Sequence, residues 1–163
     1  MPLAHPAADV WTLLADIAEE TPDAPAFIHG ERALTFGELL DCSARTAQGL
    51  ADLGVGPGDR VALWLPNVPA YPILYFACVR LGAIAVAVNT RYRAVEVADI
   101  VGRSGAKVLA CAPGFRRIDF LSILADIEPA ALDRLAAMIN LACDETIPRR
   151  SLSAKNLCHA MLQ

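Results

Sequence analysis

The chain alternates between stretches with a helical apolar period and short runs that are apolar throughout, and that order predicts its elements. From Asp9 to Glu20, Trp11, Leu14, Ile17 and Ala18 share one helical face, with Asp9 placed as the N-cap. "TPDAP" ends this helix, and a short apolar segment, 26–28, leads into a His-Gly turn. Thr35 and Glu38 then have the spacing of a capping box, in which each side chain satisfies a free N–H of the other's backbone. A helix over 36–53 follows, with Leu39, Leu40, Ala47, Leu50 and Leu53 on its apolar face and Gly54 where a left-handed residue would close it.

The next stretch, "GVGPGDRVALWLPN", has glycine at three alternate positions, Gly54, Gly56 and Gly58. A phosphate-cradling loop needs its glycines after a strand and before a helix. Here the helix comes first and the strand "VALWL" second, so the glycines read as a turn. "PAYPILYFACVRLG" reads as a mostly buried helix closed by Gly82. "AIAVAV" has no polar alternation and is expected to be a strand covered on both faces of a parallel sheet. "NTRYRAVEVADIVGRSG" is a polar loop and an amphipathic helix, and "AKVLAC" is a third strand. "FRRIDFLSILADIEPAALDRLAAMI" predicts one or two helices running into a short apolar strand near Met138 and Ile139. The fold class is therefore α/β: a parallel sheet with right-handed helical crossovers.

At 163 residues the chain has room for one domain with a real core. Hydrophobic residues make up 55%, and no charge interrupts Val61 to Val79, which raises the question of a membrane span. Pro66, Asn67, Pro69 and Pro72 break that run, so strand, turn and helix are expected in its place. The first residues carry no basic segment or long apolar stretch, which makes the cytoplasm the expected location. The net charge of −4, with basic residues dispersed, gives no nucleic-acid footprint. The five cysteines have no metal-ligand spacing and read as reduced core residues. His5, His29 and His159 stand alone, and no serine sits in a nucleophile-elbow motif, so neither a metal site nor a hydrolase triad is expected.

The two ends of the chain differ in composition. All ten glycines lie between Gly30 and Gly114, and none follows. From 141 to 163 the sequence has no clear period and gains Arg149, Arg150 and Lys155 against Asp144 and Glu145. The expected organisation is an α/β subdomain over 1–140 and an atypical tail over 141–163. A reading-frame change or early stop near residue 141 would account for the tail, the missing glycines and the abrupt end together.

"LTFGELL", "GLADLGVGPGDRVALWLPN", "ACVRLGAIAVAVNTRYRAVEVADIVGRSGAKVLA" and "FRRIDF", in this order, resemble the N-terminal portion of the adenylate-forming acyl-activating enzymes. That superfamily includes acyl-CoA synthetases, luciferases and peptide-synthetase adenylation domains. The likeness runs from about Asp9 to Arg134 and is nearest to the fatty-acyl-CoA synthetases. It implies a two-step reaction. A carboxylate attacks the α-phosphorus of ATP to give an acyl-adenylate and pyrophosphate, and a thiol, usually CoA, displaces AMP. The cofactors implied for the whole enzyme are ATP, Mg²⁺ and CoA, and the substrate is a small-molecule carboxylate. No Ser/Thr/Gly-rich phosphate loop follows this region, and neither Lys107 nor Lys155 occupies the position of the family's catalytic lysine. No catalytic residue is therefore assigned, none of these cofactors is expected to bind well to this chain alone, and an apolar face is expected to be exposed. The resemblance makes Arg116 and Arg117 of "FRRIDF" the candidate cofactor-binding residues, as contacts to the CoA nucleotide. A solvated basic pair is the competing reading. Asn89, Arg91 and Glu96 also match family positions and read as loop and helix-start residues, while Ala87 departs from the family's usual proline. The functional expectation is a truncated N-terminal part of an ATP-dependent acyl-CoA synthetase, inactive alone. The alternative is a stand-alone α/β binding or partner module without catalysis.

Overall fold

A computed structural model describes residues 9–113 and 115–141. The expected tail, apart from Leu141, and His5 lie outside these residues. Helix α1 spans Val10–Glu20 and starts at Asp9, whose side chain accepts from the Thr12 amide at 2.8 Å. Strands β1 (Pro25–His29) and β2 (Arg32–Thr35) form an antiparallel hairpin, and helix α2 runs over Phe36–Asp52. The capping box is present: the Glu38 amide donates to Thr35 Oγ1 and the Thr35 amide to Glu38 Oε2, both at 3.2 Å. The strand β2 was not foreseen, because its four residues show no alternation and only Leu34 is buried.

The run without charges resolves into β3 (Arg60–Trp64) and α3 (Ala70–Arg80). Among the described residues no helix is long and apolar enough to cross a membrane. Then follow β4 (Ile84–Ala87), α4 (Ala94–Ser104), β5 (Val108–Cys111), α5 (Phe120–Ala125) and β6 (Ala137–Asn140). Strands β3 to β6 form one parallel sheet in the order β4-β3-β5-β6.

Alternation along the strands divides the interior into two layers. Val61, Leu63, Val108, Ala110 and Ile139 point to one face and pack with Ala47 and Leu50 of α2 and Leu74 and Ala77 of α3. Ala62, Trp64, Leu109 and Cys111 point to the other, against Val97 and Val101 of α4 and Phe120 and Leu124 of α5. Helices thus cover both faces of the sheet, as a parallel sheet requires. A third cluster, with Leu14, Leu34, Leu39 and Ile73, fastens α1 and the hairpin to the outer side of α2 and α3.

One expectation is overturned. "AIAVAV" was expected to be covered on both faces, yet β4 is an edge strand among the described residues, with Ile84 52% exposed and Ala87 exposed. An unbroken apolar run reports a preference for burial, and nothing in it specifies what does the burying.

Candidate functional site

The two ends of the parallel sheet have different chemistry. The glycine-rich turn lies at the amino end of β3, where Gly54 and Gly58 take φ of 81° and 78°, values that suit glycine. Its free amide is already used: Gly56 N–H donates to Asp59 Oδ2 at 2.9 Å. Lys107 Nζ bonds the same carboxylate at 3.2 Å and also donates to the Gly54 carbonyl. Arg60 donates to the carbonyls of Ser104 at 2.6 Å, Gly105 at 2.9 Å and Gly58 at 3.1 Å. This end is a polar clasp that ties the β3 and β5 entries together, so the glycines form a turn.

The clasp has a pH signature. The Gly56 amide first, and then Lys107, hold the Asp59 carboxyl below its usual 3.8. A carboxyl whose folded value is lowered stabilises the fold above the unfolded value, and that contribution is lost as pH falls through the folded one. Asp59→Asn is therefore expected to be less stable than wild type at neutral pH, with the gap closing in acid. Urea midpoints measured down the acid limb check this; a gap that stays constant would show that the charge is irrelevant.

The carboxyl end is where open α/β sheets take ligands, at the point where the strand order reverses. In the order β4-β3-β5-β6 that point lies between β3 and β5, whose successors run to opposite sides. Trp64 ends β3 and Phe120 begins α5, and their rings meet edge to face at 4.5 Å. Both are fully buried and floor this point. Trp64 Nε1 donates to the Asn89 carbonyl at 3.0 Å, and the Arg91 amide donates to Asn89 Oδ1 at 2.9 Å, which fixes the loop after β4. Glu96 Oε2 accepts from the Arg93 amide at 3.0 Å and opens α4. Asn89 and Glu96 thus do loop and helix-start work, as their sequence positions suggested. The Cys111 thiol donates to Asn140 Oδ1 at 3.1 Å, and burial pushes its pKa up to about 11. Cys78 is pushed up to about 12 for the same reason, so neither is an activated nucleophile.

Arg116 stands just beyond the carboxyl end of β5, in the turn Phe115–Arg117 that leads into α5. Its backbone is left-handed, φ 48° and ψ 34°, and it is the single non-glycine residue with positive φ among the described residues. Such a conformation costs about 1–2 kcal/mol for an L-residue, and strain of this kind gathers at functional turns. The side chain is exposed, with its guanidinium 5.3 Å from the centre of the Phe115 ring. Arg117 completes the same turn. The sequence carries no sign of the strain at Arg116; "FRR" looks like any basic turn.

This α/β chain matches the family of AMP-binding enzymes over residues 14–156. It belongs to that family. The match takes in 141–156, part of the segment set apart by composition. Feruloyl-CoA synthase of an Amycolatopsis species is 37% identical over 144 residues, which are 88% of this chain and 28% of that protein. Long-chain-fatty-acid–CoA ligase FadD13 of Mycobacterium tuberculosis is 37% identical over 132 residues, 79% of this chain and 26% of that protein. Acetoacetyl-CoA synthetase from Streptomyces lividans superposes with a TM-score of 0.75 at 26% identity, covering 91% of this chain and 24% of that one. The chain thus spans about a quarter of the length of these relatives.

AMP-binding CoA ligases depend on ATP and CoA. The glycine turn lies at the amino end of the sheet with its Gly56 amide taken, so it does not serve as a phosphate loop.

Proposed function

We propose that this chain supplies the N-terminal scaffold of an ATP-dependent fatty-acyl-CoA synthetase of the cytoplasm and does not form the acyl-adenylate by itself. The observation that carries the reading is the composition of the carboxyl edge. Among the described residues it offers an anchored loop, an aromatic floor and Arg116, while the glycine-rich turn lies at the opposite end of the sheet with its Gly56 amide taken. The chain's share in the reaction is then to hold the sheet and, through Arg116 and Arg117, to contact the nucleotide of CoA while the acyl group is transferred to the thiol. The purified chain is expected to give no ATP–pyrophosphate exchange with any fatty acid; measurable exchange would overturn the scaffold reading.

The CoA contact has its own test. CoA, expected to bind only weakly to the chain alone, should at high concentration shift the NMR signals of 115–118, whereas pantetheine, which lacks the nucleotide, should not. Arg116→Gly removes the guanidinium and relieves the left-handed strain, so stability should change by no more than about 1 kcal/mol. Loss of one charge-assisted bond predicts about tenfold weaker CoA binding. Equal affinity in the variant would return Arg116 to the role of a solvated surface residue.

A second reading, a partner module that works with a separate chain, is favoured by one observation, the apolar strand β4, which is an edge strand among the described residues with Ile84 and Ala87 exposed. Exchange activity that appears on mixing with such a chain would support it.

A further inference from the structure

We propose that the hollow between α1, α2 and the end of α3 binds a small carboxylic acid with an apolar body, held through Arg80. None of its lining residues takes part in the CoA contact described above, so a failed CoA titration and a failure to bind here are separate results.

Helical spacing builds the hollow. Trp11 and Ala15 lie one turn apart on α1, and Gly37, Leu40 and Ala44 share one face of α2, so the two helices wall a common groove. At Ala15, Gly37 and Ala44 the side chains are too short to fill the space between the helices, which leaves about 380 Å³. Small-molecule sites typically hold about 300–1,000 Å³. Trp11 and Leu40 supply the larger apolar surfaces, and both also pack against the cluster of Leu14, Leu39 and Ile73, which fixes them as a floor. Trp11, Ala15, Leu40 and Ala44 are half-buried, whereas the two charged lining residues, Asp41 and Arg80, are exposed.

Charge decides what the hollow takes. The Asp41 carboxylate is engaged by Arg45, one turn further along α2. Arg80 has no such partner: its guanidinium lies 4.7 Å from the centre of the Trp11 ring, and among the described residues no hydrogen bond or ion pair engages it. Stacking on an aromatic face holds a guanidinium in place and leaves the N–H groups at its edge open. That planar fork matches a carboxylate through two parallel bonds. The hollow therefore joins a half-buried apolar wall to one cation with open donors, and an acid with an apolar body satisfies both at once.

The test is to titrate the isotope-labelled 163-residue chain with octanoate, with octanol as the same tail without the charge, and with acetate as the charge without the tail. Octanoate should shift the Trp11 indole signal and the amides of Ala15, Gly37 and Ala44 saturably. The Trp64 indole, buried and bonded to Asn89, should stay where it is. Octanol and acetate each lack one half of the match and should bind about tenfold more weakly or less. Arg80→Met keeps the stem and should weaken octanoate about tenfold, while Ala44→Leu fills the hollow, leaves Arg80 in place and should abolish binding; circular dichroism checks that both variants fold. The proposal is overturned if octanoate gives no saturable shift at Trp11, if octanol or acetate binds as tightly as octanoate, or if both folded variants bind as wild type does. The three-ligand series is read on the wild-type chain and decides the matter even where a variant misfolds.

Discussion

Trp64→Ala lowers stability by about 3–5 kcal/mol, the range for deleting a large aromatic ring from a packed interior. Trp64 is fully buried at the end of β3, and three consequences of its loss fall on one place. The cavity opens between β3 and α5, Phe120 loses the ring it meets at 4.5 Å, and the Asn89 carbonyl loses its 3.0 Å donor. Trp64→Phe separates these effects. It keeps much of the apolar volume and removes the indole N–H, so about 1–3 kcal/mol is expected for the unpaired carbonyl and the smaller ring. Urea unfolding with an unchanged denaturant slope measures both. A cost of under about 1 kcal/mol for the alanine variant would mean that the switch point is not a packed floor and that the loop after β4 is held by other contacts.

Arg60→Met is expected to cost about 2–3 kcal/mol, because the guanidinium makes charge-assisted bonds and methionine keeps only the stem. Its partners are the carbonyls of Ser104 and Gly105, where α4 ends in a left-handed glycine at φ 60°, and of Gly58 in the preceding turn. A cation at a helix C-terminus also meets the negative end of the helix dipole. The loss should be local as well as global: hydrogen exchange ought to speed up first at residues 105–108, before β5. Lys107 and Asp59 remain in the variant, so a loss well above this range would show that the two halves of the clasp act as one unit.

The elements themselves were largely legible. Asp9, the Thr35 and Glu38 pair, and Gly54 mark helix ends through hydrogen bonds and backbone angles that involve residues a few positions apart, and each takes the predicted role. The order of helix before glycine turn and strand after it likewise decided against a phosphate loop, as the amino-end clasp bears out. The family could be recognised because its motifs are local runs in a fixed sequence order. The hairpin strand β2 escaped because four residues with one buried side chain do not establish a period.

Neighbourhood across the chain is another matter. Periodicity told which runs seek burial, and it could not rank them from centre to edge: β4 and β5 are both apolar throughout, yet β5 is buried and β4 is an edge strand among the described residues. The reversal between β3 and β5, the meeting of Trp64 with Phe120, and the clasp joining Arg60 to Gly105 link residues 45 or more positions apart. Their pairing depends on how whole elements pack, since side chains so far apart in sequence meet only after the sheet has formed. The left-handed backbone at Arg116 is likewise absent from any local signal, since an L-residue's own preference is otherwise.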